Sequence, residues 1–587
     1  MIRSKYREEL TALYDLGKEF AKDHPAVASM LSGPTSDPDV ERLLQGVAFM
    51  TAQLREKLDD EFPEIIHDFI RLIWPHYLRP LPCATIVAFK PDELLKNTAT
   101  IEAGTELESR PVEGTPCQFR TCFDVAVQPL TITSVSATDN LDEQSITIEI
   151  ALNDNTLKEW APENMRLFLS GDYQRTIDLS QATNIYCLLR TCLNRIVLST
   201  DDYSFSLSPD HLKPVGFDDN EDLIPYPSNS FPAYKIIQEY FLLTEKFLFV
   251  DITGMDHWND KSDASCFEIR FELKDTPFPI PRVRTDDFVL SATPVINIFD
   301  HEAEPVRVDH KKDRYRICPT GNDTSHFQLY SVKEVVGFIH GTAEQRTYDP
   351  FEAFSVEAQK KPVYHTHLCP SANKSSYDIY LSVAYPDIPD LSPDKPQPPP
   401  LETLSIQLKC TNGNLPQSLH IGDISIRTEN IPQEVNFINI RQTTIAVMPS
   451  LGTNLLWRLI SHLSLNHSSF SKTENLKAIL ALYIFQTRGD HRATLINKNR
   501  INGIEKVESK PVDRLVSGIL MRGQEIKIYA NIEKYLSPGD LYLFGCIIDQ
   551  FIALCASLNS FTRLIVEDIS SGKSFHWPAR LGNKFLL

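Results

Sequence analysis

The chain has 587 residues, a length that predicts several domains of roughly 150 residues each. Its 58 basic and 78 acidic residues give a formal net charge of −20, which disfavours binding to nucleic acid or to anionic lipid. The N-terminal sequence MIRSKYREEL lacks the apolar stretch of a signal peptide, and no run of ~18 uninterrupted apolar residues indicates a membrane span, so we expect a cytoplasmic protein.

The first predicted element is a helix over residues 3–31. Apolar or small residues recur in it with a 4-3-4-3 step that is typical of helix-on-helix packing. These residues are Tyr6, Leu10, Leu13, Gly17 and Phe20. The glycine would allow close approach of a neighbouring helix.

A second amphipathic helix is predicted from Asp37, which can cap it, and Pro38, which is tolerated in a first turn. Its apolar stripe consists of Val40, Leu43, Leu44, Val47, Leu54 and Leu58. The stripe carries no catalytic side chain, so we interpret it as a candidate protein interface. The competing interpretation is that it packs on a β domain of the same chain.

A third helix is predicted after Pro63, because apolar residues again recur at helical spacing. They are Ile66, Phe69, Ile70, Ile73 and Trp74, followed by the helix-ending prolines Pro75, Pro80 and Pro82. Asp59, Asp60 and Glu61 lie just before this helix, where a capping role is favoured over acid-base chemistry or cation binding.

From about residue 83 the apolar period becomes two, which predicts strands. Examples are ATIVAF (84–89), SITIEI (145–150), RLFLS (166–170), FLFVDI (247–252), CFEIRFEL (266–273), YDIYLSVAY (377–385) and LSIQLKC (404–410). A short helix, QATNIYCLLR (181–190), interrupts them. The aromatic segment at 226–249 favours a core element over a ligand cage.

The C-terminal part of the chain is predicted to contain both helices and strands. Helices are predicted at 454–465, at 475–485 with Ser471 and Glu474 as a capping box, and at 538–559, where an apolar helix starts at Asp540. A strand is predicted at 525–532, and a hairpin at 563–577 around Ser570, Ser571 and Gly572.

These patterns predict an α+β multidomain protein with a helical N-terminal arm, β-sandwich-like middle domains and a mixed α/β C-terminal domain. The expected divisions are a helical arm at 1–82, β-rich domains at 83–245 and 246–385, a proline-rich linker or loop at 386–400, and a mixed region at 401–587. The segment at 386–400 holds seven prolines in fifteen residues, which requires extended backbone.

Common signatures of nucleotide, zinc and serine chemistry do not occur in the sequence: it has no GxxxxGK[ST], GxGxxG, HExxH, GxSxG or CxxC. The best metal candidate is His365, His367 and Cys369, which alternate on one face of a strand. A polar edge-strand face is the favoured interpretation, because structural zinc usually takes four ligands. We therefore predict no catalytic, cofactor-binding or metal site.

The cysteines are interpreted as packing thiols. There are eleven of them, scattered and odd in number, which favours free thiols over a disulfide framework. Cys117 with Cys122, and Cys187 with Cys192, have the wrong spacing for a redox pair. His462 and His467 share a helix face poorly, so a capping or surface role is favoured.

Long segments of the chain resemble the TssF family, also called VasA or ImpG, of the bacterial type VI secretion system. The N-terminal signature is DPDVERLLQGVAFMTAQLREKLDDEFPE followed by WPHYLRPLP. The resemblance continues in CQFRTCFDV (117–125), VGFDDNEDLIPYP (215–227), YKIIQEYFLLTEKFLFVDI (234–252), TPVINIFDHEAEPVRVD (293–309), CTNGNLP (410–416), LWRLISHLSLN (456–466) and SLNSFTR (557–563). It departs from the pattern at Pro232 and Ala233, where glycine is expected, and at Thr244, where proline is expected.

The resemblance implies a non-enzymatic subunit of the cytoplasmic baseplate, recruited to the inner-membrane secretion complex. Its implied partners are TssG, TssE, TssK, a second TssF copy, the VgrG spike, and the Hcp tube and sheath proteins, with no cofactor and no membrane insertion. The residues alone leave two other classes open. One is a metal-dependent hydrolase with a β-sandwich substrate domain, and the other is a secreted adhesin, which the missing signal peptide opposes.

Overall fold

A computed structural model of the chain shows a mixed α+β protein, as the sequence predicts. It describes residues 2–23, 39, 41–54, 70–71, 75–140, 143–153, 156–158, 160, 162–171, 179–201, 203–226, 230–258, 263–321, 326–351, 361–370, 377–385, 401–449, 472–484, 491–516, 519–558 and 560–582. The chain divides into two compact units, Met1–Leu78 with Ser450–Ser461, and Arg79–Pro449 with His462–Leu587.

Seven helices have bounds in the part of the chain that the structure describes, and residues 70–71, within the helix predicted after Pro63, are helical as well. The seven are α1 (Ile2–Asp23), α2 (41–54), α3 (Leu179–Thr191), α4 (Pro232–Leu242), α5 (Thr473–Leu482), α6 (His491–Asn502) and α7 (Pro538–Cys555). Helices α1 and α2 belong to the first unit, and the other five belong to the second.

The strands, all in the second unit, form several sheets. In chain order they are β1 (Ala84–Pro91), β2 (Ala99–Ile101), β3 (Glu106–Ser109), β4 (Gln118–Thr121), β5 (Val125–Val127), β6 (Leu130–Asp139), β7 (Gln144–Leu152), β8 (Asn164–Leu169), β9 (Leu193–Ser199), β10 (Ser204–Leu207), β11 (Leu212–Val215), β12 (Phe249–Thr253), β13 (Cys266–Leu273), β14 (Phe288–Leu290), β15 (Ala292–Ile296), β16 (Phe299–Glu302), β17 (Val306–Val308), β18 (Tyr315–Arg316), β19 (Gln328–Ile339), β20 (Gln345–Pro350), β21 (Val363–Pro370), β22 (Tyr377–Ala384), β23 (Glu402–Thr411), β24 (Ile424–Ile426), β25 (Val435–Asn439), β26 (Ile504–Val516), β27 (Ile519–Ala530), β28 (Phe561–Asp568), β29 (Ser574–His576) and β30 (Arg580–Leu581).

A six-stranded sheet of order β24-β3-β4-β15-β1-β25 curls into a near-barrel. Buried side chains such as Val87, Phe119 and Phe437 fill its interior. The side chain of Asn439 bridges the two end strands: its Oδ1 accepts hydrogen bonds from the backbone N–H groups of Gly422 (2.9 Å) and Ile424 (3.0 Å). A buried amide thus satisfies backbone groups at the seam, which would otherwise be costly to leave unpaired.

Two smaller sheets follow, of order β10-β9-β13-β7-β6 and β11-β12-β8-β14. Strand β13 shows how the sequence pattern specifies them, since its side chains alternate between buried and more exposed positions along CFEIRFEL. Phe267, Ile269 and Phe271 point into the core, where Phe267 packs against Trp160 and Trp258. This period of two is the one expected for a half-buried strand.

An eight-stranded sheet of order β16-β23-β19-β20-β21-β22-β18, with β17 also paired to β23, forms a half-barrel. Its core includes Val308, Leu381, Leu404 and Leu408. The long pair β19–β23 has register shifts at Leu329/Ser331 and Val332/Glu334. Such bulges increase the local twist and curve a sheet.

The C-terminal sheet contains the hairpin β26–β27 and a parallel pair, β27–β28. Parallel neighbours need a crossover connection, and α7 supplies it. Helix α7 also lies against α3, with so little space that a Cβ on Gly539 would come within 2.1 Å of the carbonyl oxygen of Thr183. Glycine is therefore required at this helix contact.

A buried ion pair joins α6 to α7. The Arg500 guanidinium donates to both carboxylate oxygens of Asp540, at 3.1 and 2.6 Å, and to Asn497 and Thr244. The guanidinium carbon also lies 5.0 Å from the ring centroid of Tyr240 in α4. Burial lowers the pKa of Arg500, but the Asp540 carboxylate outweighs that effect and the pKa is raised.

The predicted elements agree with these bounds at most positions. The strands at 84–89, 145–150, 166–170 and 266–273, the helix at 181–190 and the hairpin at 563–577 are confirmed. The helix expected at 3–31 is described as far as Asp23, the helix expected at 475–485 begins at Thr473, and the helix expected at 454–465 lies outside the described residues.

Two predicted helix starts are wrong. The residue that caps α5 is Lys472, not Ser471, and its side chain makes no capping hydrogen bond. Asp540 is not the cap of α7, because the hydroxyl of Ser537 accepts the hydrogen bond from the Asp540 N–H at 3.1 Å, and Asp540 is the third residue of the helix. Its carboxylate instead pairs with Arg500. The expected domain divisions stay predictions, although sheets join strands from both sides of them, as β1 pairs with β25.

Replacing Arg500 by Met should leave a buried carboxylate unpaired and cost about 3–5 kcal/mol of folding free energy. We expect the melting temperature to fall by several degrees in differential scanning fluorimetry. The double variant Arg500→Met with Asp540→Leu should recover part of the loss, because no charge remains buried.

The control is Arg195→Met, which breaks the surface pair that Arg195 makes with Glu272 at 2.5 Å. Screening by water makes such pairs weak, so its melting temperature should change much less. Equal losses for Arg500→Met and Arg195→Met would contradict this account of the buried pair.

Candidate interaction surface

The first unit presents an apolar stripe on helix α2. Leu43, Val47, Met50 and Leu54 recur with a 4-3-4 step, so they share one face of the helix. All four are exposed, Leu43 by 69% and Leu54 by 63%. Soluble proteins rarely leave a contiguous row of large apolar side chains in water, and such a row marks an interaction site. We call these four residues the α2 stripe.

The opposite side of α2 packs inside the protein. Ala48 and Ala52 are fully buried, and Leu44 is half-buried beside them. Small side chains at i and i+4 permit close approach of another element. Helix α2 is therefore apolar on two faces, one inside and one outside.

The residues of the predicted stripe do not all lie on one face of α2. Leu43, Val47 and Leu54 lie on the outer face and Leu44 lies toward the inner one, whereas Val40 and Leu58 lie outside the described residues. Sequence reasoning missed Met50, although it stands at i+7 from Leu43. The interface assignment of Val40, Leu43, Leu44, Val47, Leu54 and Leu58 stays a prediction.

Helix α1 belongs to the same unit and contributes further exposed apolar residues. Leu16 and Phe20, one turn apart, are exposed, while Leu10 and Leu13 are half-buried. The Tyr14 hydroxyl donates to the carboxylate of Glu41 in α2 at 3.3 Å, which links the two helices. Helices α1 and α2 thus both expose apolar side chains to water.

The candidate metal ligands lie together on strand β21. His365 Nδ1 is 3.0 Å from His367 Nε2, and His367 Nε2 is 3.1 Å from the Ser382 hydroxyl on β22. Within the described ranges, no group of three His, Cys, Asp or Glu side chains is arranged to hold a metal ion. The two imidazoles and Ser382 form a polar hydrogen-bonded row on the sheet.

The cysteines behave as packing residues. All eleven lie in the described part of the chain as free thiols, and seven are buried. Burial raises the pKa of Cys117 to about 11 and that of Cys122 to about 12. Burial also raises the pKa of Cys187 and Cys192. Thiols with raised pKa values are poor nucleophiles at neutral pH, so the two pairs lack redox character.

Other sequence candidates divide into two groups. Asp59, Asp60, Glu61, His462 and His467 lie outside the described residues. The aromatic segment is core, as predicted: Tyr234 stacks on Tyr483, and Tyr240 and Phe247 are fully buried.

Helix α7 is long and apolar enough to cross a membrane by length and composition, and 78% of it is buried inside the protein. Its first turn contains Asp540 and its centre contains Asp549, both buried. The Asp549 carboxylate accepts a hydrogen bond from Arg580 Nε at 2.5 Å. These contacts identify α7 as a core helix.

Comparison with known proteins gives matches along nearly the whole chain. The sequence profile of the family described as "Type VI secretion system, TssF" matches residues 1–584. The chain is 26% identical over 624 residues to the type VI secretion system component TssF1 of Pseudomonas aeruginosa, covering 99% of this chain and 98% of that protein.

Two solved structures are also similar. A chain in the cryo-electron microscopy structure of a type VI secretion system TssK-TssF-TssG baseplate subcomplex has a TM-score of 0.76 and 27% identity, covering 93% of this chain and 99% of that one. A chain in the baseplate complex of a type VI secretion system has a TM-score of 0.63 and 25% identity, with full coverage of both.

The polar row on β21 should bind no zinc at stoichiometric levels. We expect metal analysis of the purified protein by plasma mass spectrometry to give far less than one zinc per chain. The double variant His365→Ala with His367→Ala should leave that value unchanged. Stoichiometric zinc that disappears in the variant would establish a metal site.

Proposed function

This chain belongs to the type VI secretion system TssF family of structural baseplate components, and we propose that it acts as a scaffold of the baseplate wedge that assembles with TssG, TssE and TssK. In this proposal the wedges surround the VgrG spike and provide the platform for the Hcp tube and the contractile sheath. A second copy of this chain completes the wedge.

The evidence for the individual partners differs. TssK and TssG are named in the subcomplex that contains the similar chain, at 93% coverage of this one. TssE, VgrG, Hcp, the sheath proteins and a second copy are supported by the family resemblance. The cytoplasmic location and the recruitment to the inner-membrane secretion complex are part of the same proposal.

The observation that carries the proposal is the α2 stripe. A scaffold subunit needs surface that gains free energy on association, and burying a large apolar side chain contributes roughly 1.5–3 kcal/mol. Four such side chains on one helix face exceed the scattered single residues found on ordinary surfaces. Their 4-3-4 spacing suits a partner helix. We assign that helix to TssG.

An enzymatic role is not supported. The hydrolase alternative depends on the β21 row, and among the described residues no three His, Cys, Asp or Glu side chains are arranged to hold a metal ion. The family itself is structural.

The α2 stripe is tested with Leu43→Asp combined with Leu54→Asp. Both side chains are exposed in this chain, so the variant should fold, while two buried carboxylates at a helix–helix contact would oppose association. We expect co-purification with co-expressed TssG to fall at least about tenfold, as measured by pull-down and size-exclusion chromatography.

The matched control is Leu94→Asp combined with Leu495→Asp, two leucines that are exposed by 76% and 59%. The control variant should co-purify with TssG as the unmodified chain does. If the Leu43/Leu54 variant co-purifies normally with TssG and its melting temperature is unchanged, the stripe does not contribute to the TssG contact. Native mass spectrometry of the same samples reports whether a second copy of this chain is lost together with TssG.

A further inference from the structure

A basic groove lies on the half-barrel of the second unit. It has a volume of about 370 Å³ and lies among β17, β18, β22 and the loop before β18. Among the described residues that line it, four are cationic and one is a carboxylate, Glu304. The cationic residues are Arg307, Lys312, Arg314 and Arg316. This local excess of positive charge stands out on a chain whose net charge is −20.

Two of these cationic residues lie on strands, which set their positions. Arg307 is the exposed residue of β17, between buried Val306 and Val308. Arg316 lies opposite Tyr380 on β22, and its Nη2 is 2.9 Å from Asp378 Oδ1. Because Val306 and Val308 belong to the core of the half-barrel, the floor of the groove rests on packed side chains.

The loop that carries Lys312 and Arg314 is held by the Tyr315 hydroxyl. That oxygen accepts hydrogen bonds from the N–H groups of Asp309 (3.2 Å) and His310 (2.9 Å) and donates to Asp309 Oδ1 at 3.1 Å. Asp309 Oδ1 also accepts from the N–H of Lys311, and this bond lowers the pKa of Asp309. Asp309 is thus engaged inside the loop, whereas Asp313, which lies between Lys312 and Arg314 in the chain, is exposed.

We propose that this groove binds an acidic peptide segment of a partner protein. Arginine side chains hold carboxylates through paired N–H···O bonds, and several arginines in one groove match several Asp or Glu side chains. Tyr315 and Tyr380 supply an apolar wall for the stems of those side chains. The volume falls in the range of ligand pockets, about 300–1,000 Å³.

The charge of the whole chain selects this ligand over nucleic acid. A nucleic acid extends its phosphates beyond the groove, where a protein of net charge −20 repels them. An acidic peptide confines its charge to a few side chains. The proposal concerns a surface separate from the α2 stripe and does not depend on the TssG contact.

The test measures fluorescence anisotropy of a fluorescein-labelled hexaglutamate peptide with the full-length protein at about 50 mM salt, where charge attraction is weakly screened. We expect binding by the unmodified chain. The variant Arg307→Glu, Lys312→Glu and Arg314→Glu should weaken it at least about tenfold. The control Lys90→Glu, Lys213→Glu and Lys274→Glu makes the same change in net charge at three exposed lysines elsewhere and should bind nearly as well as the unmodified chain.

Melting temperatures verify that both variants fold. Equal loss of binding in the two variants would overturn the proposal, because net charge and not the groove would then control affinity. It would also be overturned if inorganic phosphate or an oligothymidine displaced the peptide at lower concentration than unlabelled hexaglutamate does, since the groove would then prefer phosphate.

Discussion

The buried ion pair between Arg500 and Asp540 is the constraint on which the packing of the second unit depends. Two charges that have lost their water are tolerable only if each finds several hydrogen bonds, and here the partners come from α6, from the start of α7 and from Thr244 just after α4. The pair therefore fixes three helices together. Since α7 is also the crossover between the parallel strands β27 and β28, the helix cluster and the C-terminal sheet form one packed body.

Local elements could be predicted because their determinants are local. The alternation in CFEIRFEL specifies a half-buried strand, and the serines and Gly572 specify the hairpin between β28 and β29, where the glycine adopts φ +68°. The assembly of sheets could not be predicted in this way. Strand β1 pairs with β25, about 350 residues later, and no pattern within either strand identifies its neighbour. Asn439, which bridges the seam of the near-barrel, looks like an ordinary turn residue in the sequence.

The candidate site was predictable in position but not in orientation. Helical spacing identifies α2 as amphipathic, yet a single stripe of leucines cannot show that the helix buries alanines on another face. Ala48 and Ala52 carry weak hydrophobic signals, and they are the residues in full contact with the interior. The larger Leu43, Met50 and Leu54 remain in water. Large apolar side chains normally lie in the core, but here they lie on the exposed face that we propose as a protein contact.

An exposed apolar stripe is a liability before assembly, because it can associate with any other apolar surface. The chain counters this in two ways. Charged and polar residues such as Arg42 and Gln53 flank one side of the stripe, and they limit the width of the apolar patch. The net charge of −20 makes two free copies repel each other over distances near the Debye length, about 8 Å at physiological ionic strength. Repulsion of this kind slows contact between like subunits, whereas a partner with a complementary helix or charge distribution escapes it. The same charge that disfavours nucleic acid as a ligand therefore also favours ordered assembly over self-association.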